Sequence, residues 1–84
     1  MTMEQLLQSF TQILRDLLGE DALVLAADTV RSDVAGWDSF NYINFMVAVE
    51  MKYGIKFRVA EVESFRTVGE IAQRALELLH VSGA

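Results

Sequence analysis

The sequence has no cysteine and no proline, and its only histidine is His80. Without thiols there are no disulfide staples and no thiolate nucleophile, and one imidazole cannot build a zinc site or a Cys–His pair. The chain must stand on packing alone, which fits a reducing cytoplasm without requiring one. With no proline, no repeat and no low-complexity tract, nothing reads as a linker, so residues 1–84 are expected to form a single domain. Basic residues are few: seven Lys and Arg against twelve Asp and Glu leave a net charge of −5. Nucleic-acid phosphates need the opposite sign, so nucleic acid is excluded as a partner. No apolar run approaches the roughly 20 residues that cross a bilayer. Met1-Thr2-Met3-Glu4 has neither the basic start nor the apolar stretch of a signal peptide. A cytoplasmic monomer without stable membrane insertion is the expectation.

What the chain does have is apolar residues, 52% of the total, enough for a compact helical bundle rather than a disordered chain. At this length folding buries only about 60–65% of the unfolded surface, which leaves one modest core and little room for an enclosed active site. The acidity lies early. Residues 1–37 carry six acids and two arginines (−4), residues 38–53 two acids and one lysine (−1), and residues 54–84 balance at four and four.

Met3, Leu6, Leu7, Phe10, Ile13, Leu14, Leu17 and Leu18 recur at helical spacing, with Thr2 and Gln5 as a capping box and Gly19 as the stop. This predicts a helix over 3–18. From Gly19 to Trp37 there is no sustained period, yet Leu23, Val24, Leu25, Val30, Val34 and Trp37 punctuate the segment. A connection this long is functional or disordered more often than incidental. Its scattered apolar residues predict that it packs across the bundle, with turns at Asp28-Thr29 and Ser32-Asp33 and a last bend at Gly36.

A second helix is predicted over 39–53, with Asp38 as N-cap and Gly54 as the end. Its side chains form two apolar stripes, Tyr42, Phe45, Met46, Val49 and Tyr53 on one side and Phe40, Ile43, Val47 and Met51 on the other. Asn41, Asn44, Ala48 and Lys52 make up the face expected to lie away from the core. The helix is too apolar to lie on a core with its back to water. Ile55-Lys56-Phe57 alternates like a strand but has no partner, so an extended connection is expected. A short helical turn follows at 59–64. Thr67 and Glu70 then form a second capping box opening a helix over 68–79 with Val68, Ile71, Ala72, Ala75, Leu76 and Leu79 buried, and Val81-Ser82-Gly83-Ala84 should fray.

The segment with chemical potential is Gly36-Trp37-Asp38-Ser39-Phe40. It places a serine hydroxyl at the first turn of a helix, where backbone N–H groups lack internal partners and the dipole favours negative charge. A phosphodiester on that oxygen would lie in a favourable field. Asp38 beside it is suited either to a divalent metal brought by a phosphoryl-transfer enzyme or to capping the helix.

Asp38-Ser39-Phe40 resembles the Asp-Ser-Leu core of the acyl carrier protein family. The resemblance continues through Phe45-Met46-Val47-Ala48-Val49-Glu50 and Tyr53-Gly54-Ile55, similar to that family's second helix and its aromatic-Gly-Ile ending. Thr67-Val68-Gly69-Glu70-Ile71 resembles the opening of its last helix. These matches cover residues 28–79 in order and spacing, whereas the first helix agrees only in kind. The resemblance implies an all-α four-helix bundle and a non-enzymatic carrier. On Ser39 it would bear a 4′-phosphopantetheine arm from coenzyme A, attached by a phosphopantetheinyl transferase, with Asp38 flanking. As a phosphoprotein it would carry acyl thioesters between acyl-loading and acyl-accepting enzymes of fatty acid or polyketide biosynthesis. Where many members carry acids along the second helix, this chain has Asn41, Asn44 and Met51, and the Pro that often follows the Gly-Ile element is absent. Trp37 before Asp-Ser is more typical of members dedicated to specialised pathways.

Several alternatives stay open on sequence. Phe40, Ile43, Val47 and Met51 form either a docking face for partner enzymes or a stripe buried against the third helix or the loop. Phe10, Leu14, Ile71 and Ala75 form either a tight core or one that opens around an acyl chain, as the resemblance implies. Trp37 pins the loop or touches the arm. His80 reads as a helix C-terminal residue favoured by the dipole. The competing function is an unmodified helical protein–protein interaction module in which Ser39 only caps the helix. A hydrolase built on Ser39 lacks a positioned base and the second glycine of a nucleophile elbow.

Overall fold

The computed structural model describes the backbone of residues 1–82 and the side chains of residues 1–80. Four helices follow one another: α1 (Met3–Leu18), α2 (Ser39–Tyr53), α3 (Val59–Ser64) and α4 (Val68–Ser82), with a 3₁₀ turn at Arg31–Asp33 in the long first connection. No strand occurs among the described residues beyond one isolated bridge, Val30 to Thr67. None of these helices is long and apolar enough to cross a membrane. The fold is all-α, as expected. The last helix is longer than its apolar stripe implied: its backbone runs through Val81 and Ser82, two of the four residues expected in the tail, while Gly83 and Ala84 lie outside the described residues.

Local chemistry sets the ends. The Thr2 hydroxyl accepts from Gln5 N–H at 3.1 Å and the Gln5 side chain accepts from Thr2 N–H at 2.9 Å, a reciprocal box opening α1. Gly19 and Gly54 close α1 and α2 in the left-handed conformation, φ +67° and +64°, where a Cβ would be strained. At α4 the second box is only half made. Thr67 Oγ1 accepts from Glu70 N–H, but the Glu70 carboxylate reaches past Thr67 to accept from Arg66 N–H.

The core joins Leu6, Phe10 and Leu14 of α1, Phe45, Met46 and Val49 of α2, and Val68, Ile71, Ala72 and Ala75 of α4. α1 packs on both other long helices. Phe10 meets Phe45 edge to face at 5.4 Å, the favoured geometry for two aromatic quadrupoles. Ile55 and Phe57 point inward while Lys56 is exposed, so this alternation serves an extended connection. Glu50 fastens it by accepting from Phe57 N–H at 2.7 Å.

The long connection is held down as much by polar bonds as by burial. Leu25 is buried, Leu23 and Val34 pack partly, and Val24 is exposed. Thr11 donates to Leu7 O and accepts from Leu25 N–H, and Arg15 Nε donates to Leu23 O at 2.6 Å. Further along, the loop carbonyls of Thr29 and Ala27 accept from Val68 and Gly69 N–H at 2.9 and 2.8 Å. Two of the orphan donors of the α4 N-terminus are thereby satisfied by the loop. So close an approach leaves no room for a side chain: a Cβ on Gly69 would stand 2.7 Å from Ala27 O.

Two outcomes test these ties. Gly69→Ala gains up to about 1 kcal/mol of helix propensity, but the clash outweighs it, and a net loss of about 1–3 kcal/mol is expected in urea unfolding. The second concerns Glu61, which accepts from Arg58 N–H at 2.9 Å and pairs with Arg74 Nε at 2.6 Å, joining α3 to α4. The Arg58 bond, followed by Arg74, holds its carboxyl below the usual carboxylate range. A lowered folded-state pKa contributes stability that is fully present above the ordinary glutamate value of about 4.3 and is lost as pH falls through the folded value. Melting temperatures of wild type and Glu61→Gln should therefore differ at pH 7 and converge in acid.

Candidate functional site

The loop before α2 is shaped residue by residue. Gly36 turns it at φ +85°, and Trp37 N–H returns to Val34 O. The Trp37 indole, only 4% exposed, wedges edge-on between Phe45 at 5.2 Å and Tyr42 at 6.1 Å. Trp37 thus pins the loop to the core. Asp38 caps α2: its Oδ1 accepts from Asn41 N–H at 2.9 Å and its carbonyl receives Tyr42 N–H at 2.8 Å. Asn41 Nδ2 donates back to Gly36 O at 2.9 Å, locking turn and helix together.

Ser39 is therefore not the cap. Its side chain is exposed, and its hydroxyl makes no hydrogen bond with any described residue. It stands in the first turn of α2, where the dipole favours an anion. Beside it opens a cleft of about 670 Å³, walled by Trp37, Tyr42 and Ile43 on one side and Val62, Phe65 and Ile71 on the other. Tyr42 bridges the floor by donating its hydroxyl to Val62 O at 2.7 Å, and Arg31 lies over its ring at 4.8 Å. Burial pushes the Tyr42 phenol up, only partly offset by Arg31, so it stays a neutral donor. An exposed, unengaged hydroxyl at a helix N-terminus with an open cleft alongside fits a phosphodiester-linked arm.

The second stripe of α2 faces outward. Phe40 is 74% exposed, Met51 80%, Ile43 51% and Val47 45%, so neither α3 nor the loop covers them. The face expected to lie away from the core is, in part, the flank that packs: Asn41, Asn44 and Ala48 are half-buried and only Lys52 is exposed. Phe10, Leu14 and Ala75 are fully buried in the core and do not line the cleft, which takes only Ile71 from that set. His80 is exposed near the end of α4.

Asn41, Tyr42 and Arg31 were missed as site-shaping residues. For Asn41 a signal existed, since an amide five residues after a turn glycine can bond back to its carbonyl. The roles of Tyr42 and Arg31 depend on where α3 and the 3₁₀ turn fall.

Comparisons with known proteins agree with this geometry. The family described as phosphopantetheine attachment site matches residues 8–75. Among solved structures, the holo acyl carrier protein of Geobacter metallireducens is similar at 32% identity and a TM-score of 0.83, over 90% of this chain and 87% of that one. The acyl carrier protein of Thermotoga maritima, at 18% identity, shares the fold, with a TM-score of 0.84 over 95% of this chain and 93% of its own. A search of curated protein sequences returned no significant match. The chain belongs to the acyl carrier protein family and contains its phosphopantetheine attachment domain.

Proposed function

We propose that this chain is a single-domain, non-enzymatic acyl carrier whose Ser39 bears 4′-phosphopantetheine. The observation that carries the reading is the division of labour at the start of α2: Asp38 does the capping and leaves the Ser39 hydroxyl exposed and unengaged. The same observation counts against the unmodified interaction module as first framed, because Ser39 has no capping role there. In the transfer, Ser39 Oγ forms the new bond to phosphorus as that phosphorus loses its bond to the bridging oxygen of the pyrophosphate; the 3′,5′-adenosine bisphosphate portion of coenzyme A leaves on that oxygen, and the serine proton passes to solvent. When bound, the arm supplies a thiol that carries an acyl group as a thioester, so a cysteine-free chain can serve thioester chemistry. The chain's own residues hold the attachment point rigid, through the Asp38 cap, the Asn41–Gly36 bond and the Trp37 wedge. Tethering then raises the local concentration of cargo at whichever enzyme has docked.

Docking falls to Phe40, Ile43, Val47 and Met51. They are the large apolar residues exposed on α2, and Phe40 and Ile43 lie within about one turn of Ser39. Transferase, acyl-loading and acyl-accepting enzymes in the cytoplasm would meet an apolar face here. Asp38 and Glu50 are the acids on or next to this helix. The pathway class best matched by such a face is a dedicated one.

Two measurements check the reading. Intact mass after incubation with coenzyme A, magnesium and a promiscuous phosphopantetheinyl transferase should rise by one phosphopantetheine in the native chain and not in Ser39→Ala. No gain on folded protein would return the chain to the interaction-module reading. Val47→Glu or Met51→Glu should leave circular dichroism and the melt nearly unchanged while lowering kcat/KM of loading by roughly tenfold, the worth of one lost interface contact. A collapse in stability instead would assign these residues to packing.

A further inference from the structure

The outward stripe of α2 has an edge whose charge is opposite to that of the chain as a whole. Residues 55–58 run as an extended connection beside the last turns of α2, held there by the Glu50 carboxylate, which accepts from Phe57 N–H at 2.7 Å. Glu50 stands three residues after Val47 and one before Met51, so this bond fixes the connection next to the distal half of the stripe. Extended backbone alternates its side chains. Ile55 and Phe57 turn into the core, and Lys56 and Arg58 are both exposed. Neither cation is in an ion pair among the described residues. The acids close by are already engaged: Glu50 is half-buried on Phe57 N–H, and Glu61 is held by Arg58 N–H and Arg74. On the opposite flank of the stripe Asn44 and Ala48 carry no charge, and Lys52 adds another cation. At the Ser39 end the signs are mixed, with Arg31 and Arg66 set against Glu63 and Asp38. Val47 and Met51, 45% and 80% exposed, are therefore bordered by cations.

Resting on the docking reading above, we propose that the distal half of this face recognises protein surfaces that pair an apolar groove with an acidic edge. The groove takes Val47 and Met51, and the acids meet Lys56 and Arg58. Charge selects among grooves of similar shape, because opposite signs speed encounter and like signs penalise a wrong partner. The −5 of the whole chain forecasts the reverse, a preference for basic surfaces. Local pattern and net charge thus make opposite forecasts, and an experiment can separate them.

The probes are two synthetic amphipathic helical peptides that share one leucine face, the first with Glu and the second with Lys over its polar positions. Each is titrated into the ¹⁵N-labelled full chain at low salt, and the amide shifts of Ile43, Val47, Met51 and Lys56 are followed by ¹H–¹⁵N NMR. The Glu peptide should half-saturate these shifts at roughly threefold to tenfold lower concentration than the Lys peptide, the worth of two exposed ion pairs. Added salt should narrow that gap. Lys56→Glu combined with Arg58→Glu changes two exposed side chains, so circular dichroism and the melt should stay as they are while the order of the peptides inverts. Lys56→Gln combined with Arg58→Gln should remove the order altogether. The proposal is overturned if the Lys peptide binds at these amides as tightly as the Glu peptide or more so. An order that survives both double variants overturns it equally, by assigning the preference to some other part of the chain. If neither peptide moves the α2 amides, the docking face itself fails and this proposal with it, while the mass gain at Ser39 reports on the carrier reading separately.

Discussion

The start of α2, where Ser39 lies, depends on the aromatic contact between Trp37 and Phe45. Phe45 is fully buried and already committed to α1 through Phe10, so it belongs to the part of the fold least able to move. Trp37, packed on it at 5.2 Å, transfers that rigidity to a loop which otherwise has little regular structure. Ser39 lies two residues further on. Without the wedge, the long connection would be held by Leu25, Thr11 and Arg15 at one end and by the α4 N-terminus in its middle, with Asn41 and the partly buried Val34 fastening it at the end nearest the serine. Close-packed aromatic groups have few alternative arrangements, and that is what fixes a loop in one place.

Helix α2 meets two demands that conflict. It must bury enough surface to hold a small core together, yet it also leaves four large apolar side chains in solvent. It meets both by being apolar on two sides. Tyr42, Phe45, Met46 and Val49 face in, Phe40, Ile43, Val47 and Met51 face out, and the asparagines fill the seam between. An outward apolar stripe carries an aggregation risk that the protein offsets with net charge, most of it in residues 1–37.

Much of this was legible in the sequence because it rests on local rules. The bounds of α1 and α2 follow from Thr2, Gly19, Asp38 and Gly54, each acting within a few residues. Less legible was whatever depends on two distant segments meeting. The continuation of α4 past Leu79 is invisible to an apolar stripe that has ended, since Val81 and Ser82 show no periodicity to extend. Glu70 looked like the return half of a capping box, yet its carboxylate is long enough to reach Arg66 N–H instead. The outward stripe of α2 could not be told from a buried one, because both have the same period and only the position of α3 decides. The cleft beside Ser39 is of the same kind: α3, the 3₁₀ turn and α4 each supply walls, and no window of sequence contains all three.

The five residues from Gly36 to Phe40 show why the motif behaves as a unit. Gly36 takes a φ of +85° that turns the chain, and Trp37 then points into the core. Asp38 remains extended, so its carboxylate can turn back onto Asn41 N–H, which only the residue just before the first turn can do. Ser39 is then the first residue with helical geometry, and Phe40, about 100° further round, reaches solvent. One inserted residue between Trp37 and Ser39 would change the spacing between the Trp37 wedge and the residue whose carboxylate caps Asn41 N–H. Anchor, cap, hydroxyl and exposed aromatic ring therefore follow one another directly. Their order is set by the turn at Gly36 and by the cap geometry of the helix that begins at Ser39, so Asp-Ser carries meaning only when a turn precedes it and a buried anchor fixes that turn.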